Sequence, residues 1–226
     1  MRDVNRRLWT AASVAAFIAT VLAWSWLADQ HLAPRVTALL LVGPPLLIVP
    51  AVLVARRILD AAPTAERAVK VSRVLHAWLM FFFGMSVIAA ALTADAWRGP
   101  VLPVPHVVAA VLVYATGAFG VLTVANLALR GFGAPFAISL SRRLATDWLY
   151  SRTRNPMVLA FLAFLAAVGL WHQSALFVLW DLALVSPILL FYVKHYEERE
   201  LEIRFGEPYR RYRASTPFLW PGKPRA

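Results

Sequence analysis

The 226-residue sequence has no cysteine and little charge. Without cysteine there is no disulfide, thiolate zinc site, iron–sulfur cluster or cysteine nucleophile. Charged residues make up 15% of the chain and apolar ones 60%, with a mean hydropathy of +0.63. Soluble domains run at about 25% and 45–50%, so the composition argues against a water-soluble globule. The 15 prolines and 10 glycines are too few and too scattered for a collagen-like or low-complexity chain. No repeat of about 20–50 residues is visible. The five histidines, His31, His76, His106, His172 and His195, form no i,i+4 pair and have no carboxylate pattern beside them, so no metal site is expected. Gly131-Phe132-Gly133 lacks the third glycine and the preceding strand of a dinucleotide fingerprint, and no Ser, His and Asp grouping suggests a hydrolytic triad.

What is present is a series of apolar runs, at about 8–28, 36–55, 74–92 and 104–129, then 157–171 and 174–193. Crossing a hydrocarbon core takes roughly 20 residues, which the first four runs supply. The fifth is short and is joined to the sixth by only His172-Gln173, so these two predict a helical hairpin whose ends lie on one side. The first run is longer than a signal-peptide core, and Ala23-Trp24-Ser25-Trp26-Leu27 offers no small-residue cleavage site; a retained anchor is expected. The chain therefore predicts an all-α fold, a polytopic membrane helix bundle of about six transmembrane helices with a C-terminal helical hairpin and a cytoplasmic C-terminal helix. Residues 1–130 form a four-helix part and 131–226 the remainder of one membrane domain.

The net charge of +11 first suggests nucleic acid, but the positions of the cations decide otherwise. With the N-terminus inside, 21 of the 23 basic residues fall in cytoplasmic segments and only Arg35 and Arg98 outside. This satisfies the positive-inside rule. The charge reads as orientation and attraction to anionic lipid headgroups, with both termini cytoplasmic and no nucleic-acid partner. Arginine far exceeds lysine, as in GC-rich bacterial genomes, so a bacterial inner membrane is expected.

Several features inside the runs have ordinary explanations. Gly43-Pro44-Pro45 and Pro50 should kink or break the second helix; broken helices can line sites, although packing alone also accounts for prolines in membrane helices. Phe81-Phe82-Phe83 reads as lipid-facing bulk, and Trp24, Trp26, Trp97 and Trp171 as an interfacial belt. Asp181 lies about 10 Å into the last run. It is either a functional carboxylate or a structural one meeting His172 or another polar group.

Two blocks stand out. In Arg142-Arg143-Leu144-Ala145-Thr146-Asp147-Trp148-Leu149-Tyr150-Ser151-Arg152-Thr153-Arg154-Asn155-Pro156-Met157, Pro156 suits a first helical turn and Asn155 an N-cap. Arg154 and Asn155 then sit at a helix mouth that favours an anionic group. The second block, His195 to Tyr212, continues the last run as a charged helix with Glu200–Arg204 as an i,i+4 pair. Gly206 stops that helix, and Pro208 should prevent its resumption. The hairpin between the blocks lets both converge at one cytoplasmic mouth.

Leu144-Ala145-Thr146, Tyr150, Arg154-Asn155-Pro156, Glu197-Glu198-Arg199-Glu200-Leu201, Phe205-Gly206-Glu207-Pro208-Tyr209, Tyr212 and Pro221, in this order, resemble the integral-membrane methyltransferases that include isoprenylcysteine carboxyl methyltransferase and the phospholipid N-methyltransferases. The resemblance implies S-adenosyl-L-methionine as cofactor, held by Arg143, Leu144, Ala145, Tyr150, Asn155, Pro156, Met157, Val158, Glu197 and Glu198, with Arg154 and Glu197 as the catalytic pair and no metal. Carboxylates offset the cofactor's ammonium and sulfonium, and the Arg154-Asn155 mouth suits its carboxylate. The sequence departs from the family pattern in several places. Asp147-Trp148 stands in place of a glycine turn, Val158 and Ala160 replace Tyr and Gly, and Thr216-Pro217-Phe218 replaces Val-Pro-Arg. Val193 falls where the isoprenylcysteine branch has a basic acceptor-binding residue, so the implied acceptor is a membrane lipid or small lipophilic molecule with an O, N or S nucleophile. The alternatives are a non-enzymatic transporter or assembly protein on the same scaffold, and a membrane reductase on a related one.

Overall fold

The computed structural model describes residues 34–84, 97–131, 141 and 143–222, with residues 11, 14, 15, 18, 19, 21–23, 25, 26, 87 and 90. Expectations for most of the first run, Trp24, the end of the third run, Phe132-Gly133 and Arg142 lie outside the described residues, as do the side chains of Phe82 and Phe83. The described structure is helical. Its one β feature among the described residues is an isolated antiparallel bridge between Val101 and Ser174. Among the described residues, three helices are long and apolar enough to cross a membrane.

Helix α1, Pro34–Ala61, holds Pro44, Pro45 and Pro50 yet is one continuous helix, so of the expected kink or break, the break does not occur. Pro45 has no N–H to give the Leu41 carbonyl four residues earlier. Trp180 supplies the missing donor from another helix, its indole Nε1–H reaching Leu41 O at 3.0 Å. This is how apolar bundles tolerate proline.

Helix α2, Ala65–Trp78, begins earlier than its apolar run. Its first turns are polar, and the Thr64 hydroxyl caps them by accepting from Arg67 N at 3.2 Å. A π-helical turn, Leu79–Gly84, follows it. Helix α3, His106–Asn126, is apolar all round, and only 11% of its most apolar window is buried in the protein. Val107, Val111, Tyr114 and Val121 are exposed. Such a surface is costly in water and compatible with a membrane protein.

Helices α4, Pro156–Trp171, and α5, Ala175–Phe205, form the expected antiparallel hairpin. Gln173 turns the chain with φ 51°. Beside it, Gly169 lets α4 approach α5 so closely that a Cβ would lie 2.8 Å from a Val178 methyl. The Trp97–Pro105 stretch fastens onto this turn through Ser174 Oγ to Trp97 O and Gln173 Nε2 to Val104 O, both at 2.8 Å. Trp97 is buried, donates to Ala90 O at 2.7 Å and packs against Phe177 and Trp180. It belongs to the core and not to an interfacial belt, whereas Trp26 and Trp171 are exposed.

The core gathers Ile48, Val52 and Leu59 of α1, Leu75 of α2, Leu165 of α4, and Phe177, Val185, Val193 and Tyr196 of α5. Two π-helical segments interrupt α5, at Asp181–Val185 and Val193–Glu197. Gly206, at φ 60°, ends it, but Pro208 does not stop the helix there. Helix α6, Glu207–Ser215, starts at once with Pro208 in its first turn, where a missing N–H costs nothing.

Candidate functional site

Where α4 begins and α5 ends, the chain closes a corner. Segment 216–222 lies across residues 152–155 and is held mostly by its carbonyls. Arg154 N donates to Pro217 O at 2.9 Å, Thr153 Oγ1 to Leu219 O at 2.8 Å and Asn155 Nδ2 to Phe218 O at 2.8 Å. Gly222 N returns a bond to Arg152 O at 3.0 Å. The Tyr212 hydroxyl of α6 donates to Tyr150 O at 2.7 Å. Asn155 thus occupies the N-cap position of α4 without capping it, because its amide secures the C-terminal segment instead.

A cavity of about 130 Å³ opens at this corner. Its lining brings together Leu144, Ala145, Tyr150, Arg154, Asn155 and Met157 from the first block and Glu197 and Glu198 from the second. The expected positions Arg143, Pro156 and Val158 are not in its wall. Arg143 is exposed, Pro156 is buried, and Val158 packs against the core. Trp148 is held at φ 57°, in the left-handed region that bulky residues rarely adopt.

The π-helical turn Val193–Glu197 adds a residue to the helical repeat, and Tyr192, Val193, Tyr196, Glu197, Glu200 and Arg204 all reach the same cavity. Arg154 Nη1 lies 2.9 Å from Glu198 Oε1, with both side chains nearly buried. The contact is poorly directed as a hydrogen bond, so Arg154 Nε and Nη1 and Glu198 Oε1 keep unused hydrogen-bonding capacity. Glu200 is joined to Arg204 at 2.7 Å, and Arg204 also donates to Ser141 O. Among the described residues, Glu197 has no ion pair. Three glutamates and two arginines line the cavity. Burial, then the Glu197 carboxylate, pushes the Tyr150 phenol up; burial, then Glu198, does the same to Tyr209. Burial first, then Tyr150, raises Tyr212. These phenols keep their protons across ordinary pH.

An unpaired carboxylate in a half-buried wall is costly, and a cationic ligand group would relieve it. Arg154, with unspent donors beside it, suits an anionic one. A zwitterion carrying both charges fits this donor set. Ligand pockets usually enclose roughly 300–1,000 Å³, so a nucleoside-sized occupant must widen this one.

His76, Tyr192 and Tyr196 also line the cavity; spacing gave no sign of His76, which stands 116 residues from Tyr192 in the chain. Asp181 is fully buried but lies outside this cavity. The Ser186 side chain interacts with it without a well-directed hydrogen bond. No group of three or more potential metal ligands occurs among the described residues. No family model, curated protein or solved structure matches the chain.

Proposed function

We propose that the chain is an integral-membrane, S-adenosyl-L-methionine-dependent methyltransferase acting on a membrane lipid or small lipophilic acceptor. On this reading about six helices span the membrane, those of the first and third runs among them, and both termini are cytoplasmic. The observation that carries it is the convergence of the Arg154-Asn155 corner and Glu197 on one cavity, from blocks about 40 residues apart in the sequence. The family resemblance of those same blocks supplies the identity of the ligand.

When bound, S-adenosyl-L-methionine supplies an electrophilic methyl group for in-line transfer to a nucleophile. The chain's residues do the rest. Arg154 and the first turn of α4 receive a carboxylate. Glu197 and Glu198 face positive charge. Tyr150, Tyr209 and Tyr212 form an uncharged aromatic wall that excludes water, and the apolar helices deliver the acceptor. Alignment and water exclusion are the large terms in such a transfer. Incubating membranes that contain the protein with methyl-labelled cofactor tests the reading. Label is expected in an extractable lipid or lipophilic molecule; label no greater than in membranes lacking the protein would contradict it.

A further inference from the structure

The cavity wall also contains a hydrogen-bonded chain that the functional reading above does not use. His76 of α2 approaches Ser72 O through Nδ1 at 2.8 Å. A carbonyl only accepts, so Nδ1 carries the hydrogen, and in the neutral imidazole Nε2 is left with a lone pair. The Tyr192 hydroxyl lies 2.8 Å from that Nε2 and must donate to it. Tyr192 is almost fully buried, and both residues line the cavity. The pairing is held in place on two sides. The rings meet edge to face at 6.0 Å, and one turn along each helix Ser72 Oγ and Tyr196 Oη are 2.9 Å apart. The phenol thus has its hydrogen committed to an imidazole while its oxygen can still accept one from something in the cavity.

We propose that Tyr192 and His76 form the acceptor's proton-removing dyad, and that the acceptor nucleophile is a hydroxyl group. This rests on the methyltransferase reading and narrows its acceptor. A carboxylate acceptor has no proton to lose, and the dyad would then serve no purpose. An amine attacks through its own lone pair and sheds its proton afterwards, and a thiol ionises at only modestly raised pH. A hydroxyl, by contrast, is a weak nucleophile that needs its proton taken as it attacks. The acceptor oxygen's lone pair bonds the methyl carbon, and the carbon–sulfur pair remains on sulfur as a neutral thioether. Tyr192 Oη takes the hydroxyl proton while passing its own to His76 Nε2. One positive charge is present before, on sulfonium, and one after, on imidazolium. Tyr192 touches the acceptor and is the catalytic residue. His76, acting through it, is a positioning residue and proton sink.

The experiment uses the full chain in detergent micelles, ¹⁵N-labelled at histidine, with 4-nonylphenol as a lipophilic hydroxyl probe and palmitate as its carboxylate counterpart. The wild-type His76 imidazole is expected as the Nδ1–H tautomer, with its Nε2 resonance shifted by 4-nonylphenol and not by palmitate. Tyr192→Phe is expected to weaken 4-nonylphenol binding about tenfold, the loss of one hydrogen bond. Equal affinity in the variant, an Nε2 resonance indifferent to 4-nonylphenol, or an Nε2–H tautomer in the wild type would overturn the proposal. The two wild-type readouts hold even if the variant misfolds. Because these readouts need no cofactor, failure of the wild type to bind S-adenosyl-L-methionine in a parallel titration would overturn the methyl-transfer reading separately.

Discussion

Trp180 of α5 gives its indole hydrogen to the carbonyl of Leu41 in α1, the one carbonyl that Pro45 leaves without its helical donor. The bond joins two helices through a gap in the ladder that proline created. Trp180→Phe keeps an aromatic ring and removes the donor, leaving a buried acceptor unsatisfied at a cost of about 1–3 kcal/mol. In a Pro45→Ala background the backbone N–H restored at position 45 can serve the Leu41 carbonyl, and the same substitution should then cost under about 1 kcal/mol. Denaturation of the four proteins in micelles measures both values; equal costs in the two backgrounds would refute the relationship.

The Arg154–Glu198 pair, 2.9 Å apart and nearly buried, ties the first turn of α4 to α5 beside the cavity. Removing one member leaves the other charge poorly solvated. Arg154→Gln and Glu198→Gln should each destabilise by about 2 kcal/mol, and the double variant by clearly less than the sum. A double-mutant cycle on thermal stability gives the coupling, and strict additivity would mean that the pair is not formed.

Trp148 and Gly206 both hold positive φ, with opposite consequences for substitution. Trp148, at φ 57°, is mostly exposed and gains little from its ring, so Trp148→Gly should be neutral or stabilising by up to about 1 kcal/mol. Gly206, at φ 60° and ψ −132°, occupies a region closed to side chains, and Gly206→Ala should cost about 1–3 kcal/mol. Melting temperatures that move in the reverse order would contradict these backbone assignments.

Hydropathy alone made the long helices and the α4–α5 hairpin legible, since a run of apolar residues with one two-residue break has few other solutions. It missed the polar start of α2, which shows no apolar signal and depends on the Thr64 cap. It left a break at the prolines of α1 open, because the donor that serves Leu41 lies 139 residues away. Trp97 looked interfacial by position, but its indole found a buried carbonyl. Local motif reading placed Leu144, Ala145, Tyr150, Asn155, Glu197 and Glu198 at one cavity, since a hairpin returns its ends together whatever lies between them. It could not foresee that Asn155 would bind Phe218 O instead of capping α4, nor that His76 would meet Tyr192. Both are contacts between distant segments that only the packed fold creates.

The central claim is that Glu197 and the Arg154-Asn155 corner hold one methyl donor. Titration calorimetry of S-adenosyl-L-methionine into the purified protein tests it directly, comparing the wild type with Glu197→Gln. The wild type should bind, and the variant should bind at least about tenfold more weakly, the loss of one charge-assisted contact, with its melting temperature unchanged. Absence of wild-type binding, or equal affinity in the two proteins, would contradict the account.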